Sequence, residues 1–303
     1  MSGRFIGGLI APGKPQILLA PEQNAGWQSM RDAFERARKA IEALDPDLLL
    51  IYSTQWPSII GHQMQADPNP KWRLVDQDFH ALGTMHYDLR MDAEFAHAYE
   101  SCAKARGLTA RTVAYRGFPV DTGTIVALQL LNPGNAIPAG VVSCNMYADR
   151  GETIVLGKAA VDAVKQTGRR AVAIAVTALS NRMWTEWIDP AEDRIHSRKD
   201  DEWNRKLLEL LEEGRLEDVS QLARQFTNQA HADSKLKAIW WLSACLGENN
   251  DFRGEVFDYQ AVWGTGAALV GLTPDTAKGL DLEYDEDGTE FYKGDRNVLS
   301  TGS

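Results

Sequence analysis

Three polar residues, Ser53, Thr54 and Gln55, directly follow the continuous apolar stretch 48–52. Such a stretch predicts a strand buried on both faces of a sheet, and α/β proteins bind their ligands at the carboxyl ends of such strands. Side chains placed there hold metals or move protons when they are histidines or carboxylates. Gln55 is instead an amide, which is a much poorer ligand than imidazole for a transition metal. The residue types therefore leave open whether this strand end forms an active site or has no catalytic role.

Histidines are the other residues whose type suggests metal chemistry, and the chain has six: His62, His80, His86, His97, His196 and His231. A facial iron site needs two histidines and one carboxylate that converge with open positions. Three acidic residues surround the pair His80 and His86, namely Asp76, Asp78 and Asp88. This segment has no recognised ligand spacing, so surface histidines are the simpler interpretation.

Charge and cysteine content exclude several classes of protein. The 303 residues carry a net charge of −10, and a phosphate-binding surface would need clustered Lys and Arg. We therefore expect no nucleic-acid or membrane partner. Three distant cysteines do not suggest a disulfide framework or a cysteine-based zinc site, and they suit a reducing compartment. The apolar run 5–13 is too short to span a membrane, so a cytoplasmic location is expected.

Strands alternate with helices along most of the chain. The apolar patterns predict strands at 4–12, 45–53, 109–115, 139–145 and 169–181, the last of which runs into a loop. Helical periodicity predicts helices at 25–44, 92–106, 152–166, 200–213 and 226–247, and the segment 57–90 is predicted to be a long loop with a short irregular strand. The alternation predicts an α/β fold, with residues 1–271 forming a single domain around a central mixed or mostly parallel sheet flanked by helices.

The composition changes after Leu272. Residues 272–303 are acidic and polar and end in small residues, so they cannot form a core of their own. We expect an acidic C-terminal tail that is partly disordered, with docking on a partner as the alternative.

Four segments together resemble the class III extradiol ring-cleavage dioxygenases. They are "YSTQW" (52–56), "GFPVDTGTI" (117–125), "ALSN" (178–181) and "EWIDPAEDRI…DDEWNRKLLELLEEG" (186–214). Their order and spacing follow the family from about residue 4 to residue 270, and the acidic tail lies outside the resemblance. The resemblance implies the family's α/β fold and its chemistry, in which Fe(II) and O₂ open an aromatic ring.

The family's site residues do not carry over to this chain. Where the catalytic subunits have an iron-binding histidine after the first strand, this chain has Gly13, and where the second histidine ligand lies it has Gln55. The family's catalytic acid–base histidine corresponds to Asn181, an amide that does not exchange protons near neutral pH. The glutamate ligand corresponds best to Asp233, a weak metal candidate. The resemblance thus implies that this chain has no catalytic residues and holds no metal.

The resemblance implies a non-catalytic subunit of a heteromeric dioxygenase. Fe(II) and the aromatic substrate, an aminophenol or a catechol, would belong to a homologous catalytic β subunit that this chain supports. Five residues are the candidates for lining a remnant substrate pocket: Gln55, His62, Asp121, Thr122 and Asn181.

Two alternatives remain open at this point. One is an active iron(II) dioxygenase with relocated ligands, built on His62 together with His80 or His86. The other is a protein that keeps the pocket to bind a small aromatic molecule in a regulatory role. Iron content distinguishes the active dioxygenase from the non-catalytic subunit. Isolation with or without a homologous chain distinguishes the non-catalytic subunit from the regulatory binding protein.

Overall fold

An eight-stranded mixed sheet organises the chain in the computed structural model, which describes residues 3–181, 187–247 and 252–275. The strands are β1 (Arg4–Ala11), β2 (Leu48–Ser58), β3 (His62–Gln65), β4 (Lys71–Val75), β5 (Thr84–Asp88), β6 (Ala110–Val113), β7 (Ala139–Asn145), β8 (Arg170–Val176), β9 (Phe252–Val262) and β10 (Thr265–Pro274). Their order in the main sheet is β6-β3-β7-β2-β8-β1-β10-β9, while β4 and β5 form a separate antiparallel pair.

The four central strands, β7, β2, β8 and β1, run parallel to one another. Strand β3 is antiparallel to β7 at one side, and the antiparallel pair β10–β9 extends the other side. The predicted α/β fold with a central mixed sheet is therefore confirmed. Because the central strands are parallel, their carboxyl ends meet at one edge of the sheet.

Helices cover both faces of this sheet. They are α1 (Gln16–Leu19), α2 (Ala25–Ala43), α3 (Ala93–Ala105), α4 (Thr122–Leu131), α5 (Arg150–Thr167), α6 (Arg198–Glu212), α7 (Leu216–Ala230) and α8 (Lys237–Leu246). Along β2, Leu49 and Ile51 join the core under α2 and α4, while Leu50 and Tyr52 join the core under α3, α5 and α8. Burial on both faces is why the first five residues of this strand, 48–52, are all apolar. None of the helices in the described ranges is long and apolar enough to cross a membrane.

Two sequence predictions about secondary structure are wrong. The segment 57–90 is not mainly a loop, because it contains β3 of the main sheet and the β4–β5 pair. The predicted helix 226–247 is two helices, α7 and α8, separated by a break. In the break Ser234, Lys235 and Leu236 all have positive φ angles, 45°, 60° and 57°, a conformation that costs about 1–2 kcal/mol for each residue with a β-carbon.

The last described strand, β10, pairs with β9 as far as Pro274 and so continues past the predicted domain boundary at residue 271. Residues 276–303, which make up most of the predicted acidic tail, lie outside the described residues. The two-part division of the chain stays a prediction.

Candidate functional site

The carboxyl ends of β1, β2 and β8 meet at the predicted site, where β2 is irregular. Its pairing with β7 slips between Ser53 and Pro57, so Thr54 and Gln55 leave the regular ladder. A bulge of this kind re-aims side chains and is common beside functional sites. The Nε2 of Gln55 donates a hydrogen bond to the carbonyl oxygen of Gly13, 2.9 Å away. The two positions that the sequence resemblance matches to histidine ligands are therefore bonded to each other.

Gly13 has no room for a side chain. A β-carbon at this residue would lie 2.6 Å from the Cα of Gly123 and 2.9 Å from Cγ1 of Val176. Contacts below 3 Å require the neighbours to move, and here one neighbour is the backbone at the start of α4. The space beside Gly13 is thus filled by close packing of α4 on the loop after β1.

We expect Gly13→Ala to destabilise the chain by about 1–3 kcal/mol, since the added methyl overpacks this contact. Urea unfolding of the purified chain measures the loss. Gly134→Ala is the matched control, because no atom outside its immediate neighbours lies within 4 Å of a β-carbon built there. Equal stability of the Gly13→Ala protein and the wild type would contradict the packing argument.

Asp121 and Thr122, two of the pocket candidates, begin α4. The Asp121 carboxylate accepts hydrogen bonds from the backbone N and Oγ1 of Thr124, at 3.0 and 2.7 Å, and from Oγ of Ser53, at 2.6 Å. Burial raises the pKa of the Asp121 carboxyl, and these hydrogen bonds oppose the rise. Oγ1 of Thr122 donates to Asp76 at 2.5 Å. Asp121 thus caps the N-terminus of α4, and Thr122 connects this helix to Asp76. These two roles are enough to explain why both residues lie here.

Asp233, the weak metal candidate, lies in the break between α7 and α8. Its Oδ2 accepts from Oγ1 of Thr54 and Oγ1 of Thr177, both at 2.9 Å, and from the backbone N of Ala178 at 3.0 Å. Its Oδ1 accepts from Nδ2 of Asn181 at 3.1 Å and from Oγ of Ser234 at 3.4 Å. The carboxylate therefore joins the ends of β2 and β8, and protein donors already surround both oxygens.

The backbone holds Asp233 in this position. Its N–H donates to the carbonyl oxygen of Leu179 at 2.9 Å, and the N–H of Asn181 donates to His231 at the same distance. Ser180 and Ala232 form an isolated antiparallel bridge beside them. These bonds account for the three consecutive positive φ angles that follow, because strain of this kind persists only where its surroundings enforce it.

Lys14 is a residue of this site that sequence reasoning missed. It follows Gly13, and its partly buried side chain places Nζ 5.4 Å from the centre of the Phe79 ring. Burial lowers the pKa of its ammonium group, and four carboxylates oppose that shift, with Asp233 the strongest and Asp76, Asp78 and Asp193 behind it. The sequence gave only one indication that Lys14 belongs to this site, which is its position next to Gly13.

An aromatic cluster lies around Phe79. The ring of Trp263 lies 5.2 Å from that of Phe79 and 5.2 Å from that of Trp187, in edge-to-face arrangements. The carboxylate of Asp193 fastens the cluster, because it accepts from the indole of Trp27 and from the backbone of Trp263. The turn between β9 and β10 is thereby tied to the loop before α6.

The three histidines of the relocated-ligand alternative are not brought together. His62 is fully buried, and its Nε2 lies 3.1 Å from Oε1 of Glu152 on α5. His80 and His86 are exposed, and His86 belongs to β5, outside the main sheet. A contact inside the protein therefore accounts for the position of His62, and its role as a pocket residue stays a prediction. Across residues 3–181, 187–247 and 252–275 there is no group of three or more His, Cys, Asp or Glu side chains arranged to hold a metal ion.

The residues present do not fit the metal that the family uses. Gly13 has no ligand atom and no space for one, and the Gln55 amide is bonded to Gly13. Asp233 is surrounded by donors, and a lysine ammonium acts on it. Divalent transition metals need converging imidazole or carboxylate lone pairs, which these side chains do not offer.

Comparison with known proteins defines the class. Residues 10–270 match the family model described as the catalytic LigB subunit of aromatic ring-opening dioxygenase. The chain belongs to this LigB family of class III extradiol dioxygenases.

Two relatives from a Pseudomonas species show the resemblance over nearly their whole lengths. The chain is 33% identical to the 2-aminophenol 1,6-dioxygenase alpha subunit over 268 residues, which cover 88% of this chain and 98% of that protein. It is also 33% identical to the 2-aminophenol 1,6-dioxygenase beta subunit over 287 residues, covering 89% and 94%. The crystal structure of an uncharacterised protein from Escherichia coli K12 has the same fold, with a TM-score of 0.60 at 11% identity over 88% of this chain and 99% of that one.

Proposed function

We propose that this chain is a non-catalytic subunit of a heteromeric class III extradiol dioxygenase. A homologous β subunit carries Fe(II) and opens the ring of an aminophenol or a catechol with O₂. The observation that carries this proposal is the hydrogen-bond network at the strand ends. Gln55 bonds to Gly13, and Asn181 bonds to Asp233, so the ancestral site positions serve one another.

The network supports a structural role for each position. Ring opening requires a group that takes and returns a proton, and the Asn181 amide does neither near neutral pH. Asp233 holds together Thr54 of β2 and Thr177 after β8, and α4 is packed on Gly13. The side chains of the site thus connect the strand ends to one another, which suits a subunit that supports a partner.

The similarity to two different dioxygenase subunits supports the proposal that this chain has a homologous partner. The chain is equally similar to the alpha and the beta subunit of one kind of dioxygenase. Homologous chains with one fold pair readily about a pseudo-twofold axis when they inherit an interface. The partner we propose is therefore a homologue that has kept two histidine ligands, the carboxylate ligand and the acid–base histidine, and both chains work in the cytoplasm.

Co-expression with a histidine-bearing homologue tests this proposal. With an affinity tag on this chain only, we expect the homologue to co-purify in a fixed ratio and the complex to contain iron and to open the ring of 2-aminophenol. Replacement of one ligand histidine in the homologue should abolish activity but keep the complex. Purification of this chain alone from the co-expressing cells would contradict the proposal and favour the regulatory binding protein.

A further inference from the structure

Two neighbouring turns, residues 58–61 after β2 and residues 145–147 after β7, expose apolar side chains. Within residues 3–181, 187–247 and 252–275, eight large hydrophobic side chains are exposed, and four of them lie in these turns: Ile59, Ile60, Met146 and Tyr147. Each of the four is between 59% and 63% exposed. The backbone N–H of Met146 donates to the carbonyl oxygen of Ser58 at 2.8 Å, so the two turns lie side by side. Exposed apolar side chains that gather in this way mark interaction sites, whereas scattered ones are ordinary.

Hydrogen bonds hold both apolar turns in one conformation. In the first turn, Oγ of Ser58 donates to the carbonyl oxygen of Gly61 at 2.8 Å. In the second turn, the backbone N–H of Tyr147 donates to Oδ1 of Asn145 at 2.9 Å. The buried ammonium group of Lys237 donates to the carbonyl oxygens of Asn145 and of the next residue, both at 2.7 Å. A surface that is ordered before association loses less conformational entropy on binding, so these turns are suited to docking.

Lys237 also joins the second turn to the candidate site. It is the first residue of α8 and follows the break that contains Asp233. The Asp233 carboxylate accepts from Thr54 after the regular part of β2 and from Thr177 after β8. The hydrogen-bond network at the strand ends and the exposed turn at Met146 are therefore positioned by the same segment of the chain.

The surroundings of the apolar turns carry no charge in the sequence. Neither 48–66 nor 122–148 contains Asp, Glu, Lys or Arg, although these residues make up 24% of the chain. Depletion of charged residues, together with Tyr and Met, is typical of the buried centre of a protein interface. The net charge of −10 disfavours both an anionic lipid surface and the pairing of two copies of this chain. A different protein chain with an apolar surface is the occupant that these charges favour.

We propose that the two apolar turns form the centre of the interface with the homologous catalytic subunit. This inference rests on the proposed function, because that function supplies the partner. Homologous chains that pair about a pseudo-twofold axis place equivalent surfaces against each other. The partner therefore contributes apolar, uncharged turns at the equivalent positions of the same fold, and Ile59, Ile60, Met146 and Tyr147 are covered only in the complex.

Introduction of a charge into the apolar turns tests the inference. The full-length chain and its Ile60→Asp and Met146→Asp variants are each titrated with the histidine-bearing homologue, and sedimentation velocity gives the dissociation constants. We expect each variant to bind at least about 30-fold more weakly than the wild type, since a carboxylate would be buried against an apolar surface. Val75→Asp is the matched control, because it places the same charge at an exposed aliphatic residue of β4. It should bind like the wild type.

Thermal melting followed by circular dichroism shows whether each variant is folded. If an aspartate variant does not fold, Ile60→Thr and Met146→Thr replace it, with an expected loss of affinity of at least about fivefold. Binding of Ile60→Asp and Met146→Asp as tight as that of the wild type would overturn the inference and leave the proposed function standing. Failure of the wild-type chain to bind would overturn the proposed function and the inference together. A wild-type chain that dimerises by itself, and that Ile60→Asp makes monomeric without weakening its binding to the homologue, would overturn the inference in favour of a second copy.

Discussion

Replacement of Asp233 by alanine is expected to lower the free energy of unfolding by about 2–4 kcal/mol, one of the largest losses available outside the hydrophobic core. The carboxylate accepts from Thr54 and Thr177 through Oδ2 and from Asn181 through Oδ1, and it also receives the backbone N–H of Ala178. Alanine leaves the N–H of Ala178 and the amide of Asn181 without this acceptor, while the two threonine hydroxyls keep only backbone carbonyl oxygens.

Urea unfolding followed by tryptophan fluorescence measures this loss. Asp233→Asn keeps the shape and one acceptor oxygen, so its loss should fall between those of the wild type and Asp233→Ala. Asp32→Ala is the control for removal of a negative charge, because Asp32 accepts one exposed hydrogen bond from Gln28. A loss no larger than that of Asp32→Ala would show that the network at the strand ends does not stabilise the fold.

The regular parts of the fold were predictable from the sequence because their burial is periodic. Helix α2 buries Trp27, Met30 and Phe34 on one face, and the first five residues of β2 are apolar and buried. The elements that were missed have a different local character. Strand β3 reads "HQMQ", yet three of its four residues are buried. The two buried polar side chains have partners, since His62 contacts Glu152 and Gln65 accepts from the backbone of Asp67. Hydrogen bonds of this kind leave no trace in hydrophobic periodicity.

The break between α7 and α8 has no signal in the sequence. It contains neither glycine nor proline, and the left-handed residues are Ser234, Lys235 and Leu236. Helical periodicity therefore predicted a continuous helix. The conformation arises from bonds to the end of β8, such as Asp233 N–H to Leu179, which depend on the folded topology. This break is also what brings the Asp233 carboxylate to the ends of β2 and β8.

The sequence predicted where the residues of the candidate site lie, but it did not predict the hydrogen bonds and packing contacts among them. Family motifs located Gly13, Gln55 and Asn181, and the structure brings all three to one edge of the sheet. The motifs contained no indication that Gly13 is packed against α4. Lys14 was missed because a lysine in a loop is usually exposed, and its partial burial depends on Phe79, 65 positions away in the sequence.

Purified alone after expression with ample ferrous iron, the chain is expected to hold less than about 0.1 iron per molecule, and to open 2-aminophenol or catechol at least about 10³-fold more slowly than its complex with the homologue. Gly13 offers no ligand atom, the Gln55 amide is bonded to its backbone, and protein donors surround Asp233. One carboxylate in this state does not retain iron(II) through purification. Without a histidine at Asn181, proton transfer would also be lost.

Iron analysis of the washed protein and an oxygen-consumption assay with each substrate measure the two quantities. The complex with the homologue is the positive control, and the homologue with one ligand histidine replaced is the matched negative control. The contrast between them assigns iron and turnover to one subunit. Stoichiometric iron with ring cleavage by the isolated chain would refute the non-catalytic proposal. It would favour relocated ligands, and variants of His62, His80 and His86 would then have to lose both iron and activity.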